Sequence, residues 1–165
     1  MAYSSGMPSV AWYDIAVVVV HLALAGVGIW LLVIDARTHR LPNRIVLPAL
    51  AATACLVLAD ALVTQRGASS LAAFAGMVIL GGFYAVLRAV SRGGIGGGDV
   101  KLAALIGLVL GWHGWQVLAI GAAAAFVLGA LHALVLMALR RADSSTRIAF
   151  GPWMIIGAVL GIAVG

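Results

Sequence analysis

Acidic residues are scarce in this sequence of 165 residues, which contains five aspartates and no glutamate. Only 9% of the residues are charged, whereas 64% are hydrophobic. This composition excludes a water-soluble globular domain and predicts that lipid surrounds most of the chain. The single cysteine, Cys55, lies in an apolar run. A disulfide framework or a cysteine metal cluster within the chain is therefore excluded, and Cys55 is expected to be a small core residue.

Six apolar runs are present, and each is long enough to form a helix. They cover residues 10–34, 45–63, 71–90, 100–110, 115–139 and 148–165. The fourth run covers only about half of a hydrocarbon core, so either its helix is short or the glycine-rich segment before it dips into the membrane. We therefore predict one all-α domain over residues 1–165. It is a polytopic membrane bundle of about six transmembrane helices with a short fourth helix, and it leaves no room for a separate soluble domain.

The basic residues lie in the short gaps between the apolar runs rather than in one patch. Nine of the ten Lys and Arg residues fall on one side of the predicted bundle, in or beside the first, third and fifth gaps, and Arg66 alone falls on the other. The positive-inside rule places the nine in the cytoplasm and both termini outside. This distribution predicts membrane topology, with the lipid bilayer and not nucleic acid as the partner. Small residues at four-residue spacing, as in Gly121, Ala125 and Gly129, predict tight helix packing.

Two of the five aspartates stand apart from the others. Asp14 and Asp60 lie near the predicted outer ends of their helices, where a structural or incidental role is expected, and Asp143 is expected to be solvated in a polar gap. Asp35 ends the first helix and Asp99 begins the short fourth one, both on the predicted cytoplasmic side. A compact bundle can bring these two carboxylates face to face.

Two neighbouring carboxylates in a partly desolvated site share one proton and titrate as a unit. Such a pair can take a proton from a water that attacks a peptide carbonyl and give one to the leaving amine. The alternative is a charge network, in which Asp35 pairs with Arg37 or Arg40 while Asp99 caps its own helix or pairs with Lys101. Spacing alone leaves both interpretations open.

Two motifs connect these aspartates to a known family. The segment from Asp35 has the pattern Asp-x6-Pro-Asn, which ends at Pro42 and Asn43, and the second segment reads Gly-Gly-Gly98-Asp99-Val-Lys-Leu. Together they resemble the paired motifs of the type IV prepilin peptidases, which are membrane aspartyl proteases with a GxGD signature. Residues 150–153, Phe-Gly-Pro-Trp, are similar to the Phe-Gly-Pro-Phe segment of that family.

The resemblance implies roles at the matching positions. Asp35 and Asp99 correspond to the two catalytic aspartates, and Gly96 and Gly98 to the glycines that let the backbone turn beside the second one. Lys101 is expected to lower the pKa of one aspartate or to bind a substrate carboxylate. The alternative is that Lys101 only anchors the chain at the membrane interface. The other motif positions, Pro42 and Asn43, are expected to be supporting residues. Asn43 is expected to cap the second helix. The histidine and arginines inside the first motif are not included in the catalytic set.

The substrates that the resemblance implies are type IV prepilins, Flp-type prepilins or pseudopilins, cut at a short basic leader on the cytoplasmic face of the bacterial inner membrane. Larger family members carry an N-terminal region with paired cysteines and an N-methyltransferase activity. Only about nine residues precede the first run here, so peptidase activity alone is expected. No cofactor and no metal are expected, because the four histidines are dispersed. A proton-coupled transporter and a non-catalytic pilus-assembly component are the alternative functions.

Overall fold

The computed structural model describes residues 7–38, 40–65, 67–91, 95–139 and 150–165. Within these ranges the chain folds into six α-helices and has no strand. The helices are α1 (Met7–Thr38), α2 (Asn43–Thr64), α3 (Gly67–Val90), α4 (Gly97–His113), α5 (Trp115–Ala138) and α6 (Gly151–Val164). The predicted all-α membrane bundle is confirmed. Three parts of the topology prediction lie outside the described residues: Arg66, Arg92 and the whole basic gap at residues 140–147. Asp143, which was expected to be solvated, lies in the same gap.

Four helices are long and apolar enough to cross a membrane: α1 from Trp12 onward, α2, α3 and α5. The fourth helix is confirmed as short. It extends three residues beyond the predicted run at each end, and its 17 residues span about 26 Å, less than the ~30 Å of a hydrocarbon core. It is nevertheless densely buried, with both Leu108 and Leu110 fully shielded from solvent. The short helix is therefore the centre of the bundle, packed against α2, α3, α5 and α6.

Glycines allow α4 to lie in this central position. A Cβ on Gly107 would fall within 3.0 Å of backbone atoms of Gly76 in α3, so these two helices touch through their main chains. The same holds for α5 and α6, where a Cβ on Gly157 would lie 2.6 Å from the carbonyl oxygen of Gly121. Dispersion forces between closely packed backbones hold helices together in lipid, where the hydrophobic effect between them is absent. The tight packing predicted from small-residue spacing is confirmed at both interfaces.

The links between helices set the positions of the polar ends. Leu41 and Pro42 are not helical, as predicted for the residue before a proline, and the Pro42 carbonyl accepts the first main-chain hydrogen bonds of α2. The expected cap by Asn43 is wrong. Pro42 is the N-cap residue and makes no side-chain cap, and the Asn43 side chain accepts a hydrogen bond from Lys101 on α4 instead.

The bundle has two polar ends. We call the first the aspartate end, where α1 ends and α4 and α6 begin. We call the second the histidine end, where α4 ends and where His21, in the middle of α1, meets His113. Asp35 and His21 are separated by 14 residues of α1, and Asp99 and His113 by 14 residues of α4, which is about 21 Å of helix in each case.

Candidate active site

The aspartate end contains a polar cavity of about 500 Å³ between α1, α2, α3 and α4. Asp35 and Asp99 both line it, and so do four of the five supporting residues predicted from sequence; only Pro42 is not on its wall. The other lining residues are Arg40, Leu41, Arg88, Ile95 and Gly97. The structure therefore brings the two predicted carboxylates, which are 64 residues apart in sequence, into one cavity at the aspartate end.

Asp35 lies in the last turns of α1 and is only 3% exposed. A buried carboxylate requires hydrogen-bond donors, and one of them comes from the start of α6, where the Gly151 N–H donates to Asp35 Oδ2 at 3.0 Å. The burial of Asp35 also depends on Gly151 having no side chain, because a Cβ there would lie 2.5 Å from the same oxygen. Asp35 is thus tied to α6, which is remote from it in sequence.

Asp99 is the third residue of α4 and is partly buried. Its Oδ2 accepts a hydrogen bond from the N–H of Gly96, the N-cap residue of α4, at 3.0 Å. The helix cap that the alternative interpretation assigned to Asp99 is therefore present for this oxygen. This bond occupies one carboxylate oxygen with a local donor, and the Asp99 side chain remains on the cavity wall together with Asp35.

The two aspartates influence each other electrostatically. Asp99 precedes the apolar part of α4, outside the helices that are long enough to span the membrane. Burial raises the pKa of Asp99 to about 6; the hydrogen bond from Gly96 opposes this shift, the charge of Asp35 adds to it, and Arg88 opposes it. A carboxyl group in this environment exchanges its proton near neutral pH, as general acid–base catalysis requires.

The glycines around Asp99 are required by close approach. A Cβ on Gly98 would lie 2.6 Å from the Cβ of Leu41, so only glycine lets the start of α4 approach the link between α1 and α2. A Cβ on Gly96 would lie 3.0 Å from Asp99 Oδ2. Neither glycine has a positive φ, because Gly96 is extended and Gly98 is already helical. The structure therefore shows close packing at these positions and not the expected tight turn: Gly98 packs on the neighbouring link and Gly96 lies against the carboxylate.

Two cations on the cavity wall have different environments. Lys101 Nζ donates to Asn43 Oδ1 at 2.7 Å and so joins α4 to α2. Arg88, in the last turn of α3, donates to the Ile95 carbonyl at 3.1 Å and lies against Gly97. In the sequence, Arg88 is only one of the nine basic residues that predict membrane topology. Its proximity to the carboxylates could not be predicted, because Arg88 reaches the site only when α3 packs along α4.

The described residues contain no group of three His, Cys, Asp or Glu side chains arranged to hold a metal ion. The available chemistry is that of two carboxyl groups that share a polar, partly water-accessible cavity with three cationic side chains, those of Arg40, Arg88 and Lys101. A pair of this kind can hold a water between an acid and a base. The fold and the site together define a polytopic membrane protein with an aspartate pair at one end of its helices.

Comparison with known proteins gives the family. The type IV leader peptidase family matches residues 22–165, which is most of the chain, and the chain belongs to this family. It is 34% identical over 140 residues to a prepilin leader peptidase/N-methyltransferase of Dickeya chrysanthemi, covering 84% of this chain and 48% of that protein. It is also 34% identical over 136 residues to the protein of the same name from Bacillus subtilis, covering 81% of this chain and 50% of that protein.

The chain thus spans about half the length of the curated relatives that it matches. No solved structure matches it. Family membership is therefore established by sequence, and the geometry of the site is described here from this chain alone.

Proposed function

We propose that this protein is an aspartic endopeptidase that removes the leader of type IV prepilins or pseudopilins, with Asp35 and Asp99 activating the attacking water. The single observation that carries the proposal is that both aspartates line one polar cavity at the aspartate end, where burial raises the pKa of Asp99 to about 6 and Asp35 adds to the shift. Membership of the type IV leader peptidase family and the names of the relatives support the reaction and the substrate class.

The reaction needs one carboxylate and one carboxylic acid at the moment of attack. The carboxylate takes a proton from the bound water as the water oxygen adds to the scissile carbonyl carbon, and the acid stabilises the developing oxyanion by donating its proton to it. Collapse of the tetrahedral diol breaks the C–N bond. The protonated aspartate gives its proton to the leaving amine, and a diol hydroxyl gives its proton to the other aspartate as the new C=O bond forms. The two aspartates finish with one shared proton, ready for the next substrate.

The location of the cavity suits a membrane-anchored substrate. Prepilins, as the family resemblance implies, consist of a short basic leader followed by an apolar helix. The apolar helix can remain in the bilayer beside the bundle while the leader junction reaches the aspartate end. We propose that this end faces the cytoplasm of a bacterial inner membrane, because nine of the ten Lys and Arg residues lie in or beside the sequence gaps on that side.

The decisive experiment is co-expression with a candidate prepilin, with leader removal read as a gel shift. Wild type should cleave, and Asp35→Asn and Asp99→Asn should each be inactive at wild-type membrane levels. Full cleavage by either variant would contradict the assignment of the pair.

Orientation has its own test. Reporter fusions after Arg44 and Arg141 should report a cytoplasmic location, and one after Arg66 an external location. The reverse pattern would place the aspartate end outside and contradict the proposed localisation.

A further inference from the structure

The link between Asp35 and the start of α6 connects residues that are 116 positions apart in the chain. The sequence segment concerned, Phe150 to Trp153, contributes to the family resemblance but receives no chemical role from it. The Gly151 N–H donates to Asp35 Oδ2 at 3.0 Å, and this hydrogen bond is buried. Gly151 itself is also buried, so the contact is protected from competition by water.

The approach of the two groups is possible only for glycine. A Cβ at position 151 would lie 2.5 Å from Asp35 Oδ2 and 3.1 Å from its Cγ. The carbon–oxygen separation is closer than real Cβ atoms come to other heavy atoms, so a methyl group must displace the carboxylate or the helix. The Asp35 side chain is short and only 3% exposed, so it cannot swing away from an added methyl group as a long, exposed side chain can.

The start of α6 is held firmly enough to act as a reference point for Asp35. The Phe150 ring contacts the rings of Tyr84 and Phe126, with centroids 5.9 and 5.6 Å away, and the Phe150 carbonyl accepts the first hydrogen bonds of the helix. Pro152 suits the first turn, because no helical partner exists there for a main-chain N–H. The Gly151 N–H is one of the first-turn donors that have no partner within the helix, so it is available to Asp35. The positive end of the helix dipole also favours an anion at this place.

We propose that Gly151 is a positioning residue of the catalytic pair. Its N–H fixes the orientation of the Asp35 carboxylate, and its lack of a side chain lets α6 close against that carboxylate. This inference rests on the proposed catalytic role of Asp35. A carboxylate held by one rigid donor keeps its second oxygen in a defined direction, which is the geometric condition for attack by a water shared with Asp99.

The test is Gly151→Ala with a matched control on the same helix, Gly157→Ala. At position 157 a Cβ would lie 2.6 Å from backbone atoms of α5, a comparable clash that does not involve Asp35. Gly151→Ala is expected to lower kcat for prepilin cleavage about 100-fold, the cost of a misplacement of about 1 Å, and to leave KM within about threefold. Gly157→Ala is expected to lower the thermal midpoint at least as much, with kcat within about threefold of wild type.

Wild-type kcat in Gly151→Ala, or an equal loss of kcat in Gly157→Ala, would overturn the positioning role. Cleavage that persists in Asp35→Asn would overturn the proposed function itself, so the two failures are distinguishable.

A second variant covers the case in which Gly151→Ala does not fold. Asp35→Ala removes the oxygen that the new methyl group would strike, so the double variant Asp35→Ala, Gly151→Ala is expected to recover membrane levels and a thermal midpoint close to those of Asp35→Ala alone. A double variant that remains unfolded would show that the constraint at Gly151 does not arise from Asp35 and would contradict the inference.

Discussion

The two polar ends of this bundle place the same kind of side chain in opposite circumstances. At the histidine end, Asp60 accepts hydrogen bonds from the Tyr13 hydroxyl at 2.9 Å, the Trp112 Nε1–H at 3.0 Å and the Thr64 hydroxyl at 3.3 Å. These donors are neutral and come from α1, α4 and α2 itself. At the aspartate end, Asp99 has one backbone donor and faces a second carboxylate across a polar cavity.

The cavities differ in the same way. The cavity beside Asp60, about 260 Å³, is lined almost entirely by apolar residues of α1 and α2, with Trp112 of α4 at its base. His21 joins this region to the end of α4 through a 2.9 Å contact between its Nε2 and His113 Nε2, while its Nδ1 lies 2.7 Å from the Val17 carbonyl. Because a carbonyl only accepts, His21 donates through Nδ1 and, when neutral, accepts through Nε2 from His113. Every polar group named here has a structural partner.

The difference shows what separates a structural acid from a reactive one. Both Asp60 and Asp99 lie in an apolar chain near helix ends, and burial alone does not distinguish them. Asp60 has donors on both carboxylate oxygens. These hydrogen bonds hold the carboxylate in one orientation and connect α1, α2 and α4. Asp99 shares its cavity with a second acid. Burial, with the charge of Asp35 adding to it, raises the pKa of Asp99 to about 6, where a carboxyl group both accepts and donates a proton.

The largest expected effect is a contrast in cleavage between the two ends. Asp99→Asn should lower leader cleavage by at least about 1,000-fold, because an amide can neither accept nor deliver the proton. Asp60→Asn should cleave within about threefold of wild type but lose about 1–3 kcal/mol of stability, since its amide group replaces one acceptor and faces a donor. Quantitative gel-shift kinetics and thermal unfolding measure the two quantities. Loss of cleavage in a folded Asp60→Asn would remove the distinction drawn between the ends.

Sequence patterning predicted most of the architecture and the identity of the pair. Apolar runs gave six helices in order, and the short run at residues 100–110 predicted a short fourth helix. That Asp35 and Asp99 would both lie at one end followed from alternation of the helices across a membrane. Two crossings, α2 and α3, separate the end of α1 from the start of α4, so the chain returns to the same face. The family resemblance then selected these two from five aspartates.

The remaining features depend on packing that periodicity does not encode. Asn43 was expected to cap α2, yet its side chain serves Lys101, because the pairing of α2 with α4 brings that ammonium within 2.7 Å. The contact between Gly151 and Asp35 requires the packing of α6 on α1, which no spacing within either segment specifies. Arg88 carries a topological signal in sequence, and only the packing of α3 along α4 reveals that it lies beside the cavity.

The pH dependence of cleavage is the second test. Asp99 has a pKa of about 6, and a pair that must hold one proton loses activity as the pH rises and removes that proton. We expect kcat/KM to fall about tenfold per pH unit on the alkaline side, with an apparent pKa near 6. Initial-rate measurements between pH 5 and 8, at saturating and low prepilin, give the profile. A flat profile through this range would contradict proton transfer by Asp99.

A smaller effect is expected at Lys101. Two substitutions there separate the contribution of its hydrogen bond from that of its charge. Lys101→Met removes both, and the loss of a link worth about 1 kcal/mol between α4 and α2 should lower kcat three- to tenfold. Lys101→Gln can still donate to Asn43 Oδ1 and should recover most of that loss if positioning is the contribution. Equal losses in both variants would instead assign the effect to the charge beside the pair. Neither change should affect the thermal midpoint as much as Asp60→Asn.

The smallest expected effect is a gain in stability on mutation, because the ionised form of a reactive acid destabilises the fold. The pKa of Asp99 is raised from 3.8 to about 6 in the folded protein, so the stabilisation linked to its proton is complete below pH 3.8 and is lost as the pH rises through 6. At pH 8 the ionised group therefore destabilises the bundle, by on the order of 1 kcal/mol after allowance for its partial exposure to water.

Asp99→Asn should thus raise the thermal midpoint at pH 8 by about 2–4 °C, and the gain should disappear near pH 4. Thermal unfolding in detergent at the two pH values measures it, with Asp60→Asn, which should lower the midpoint at pH 8, as the comparison. A midpoint for Asp99→Asn that is lower at pH 8 and unchanged by pH would mean that Asp99, like Asp60, is a structural acid.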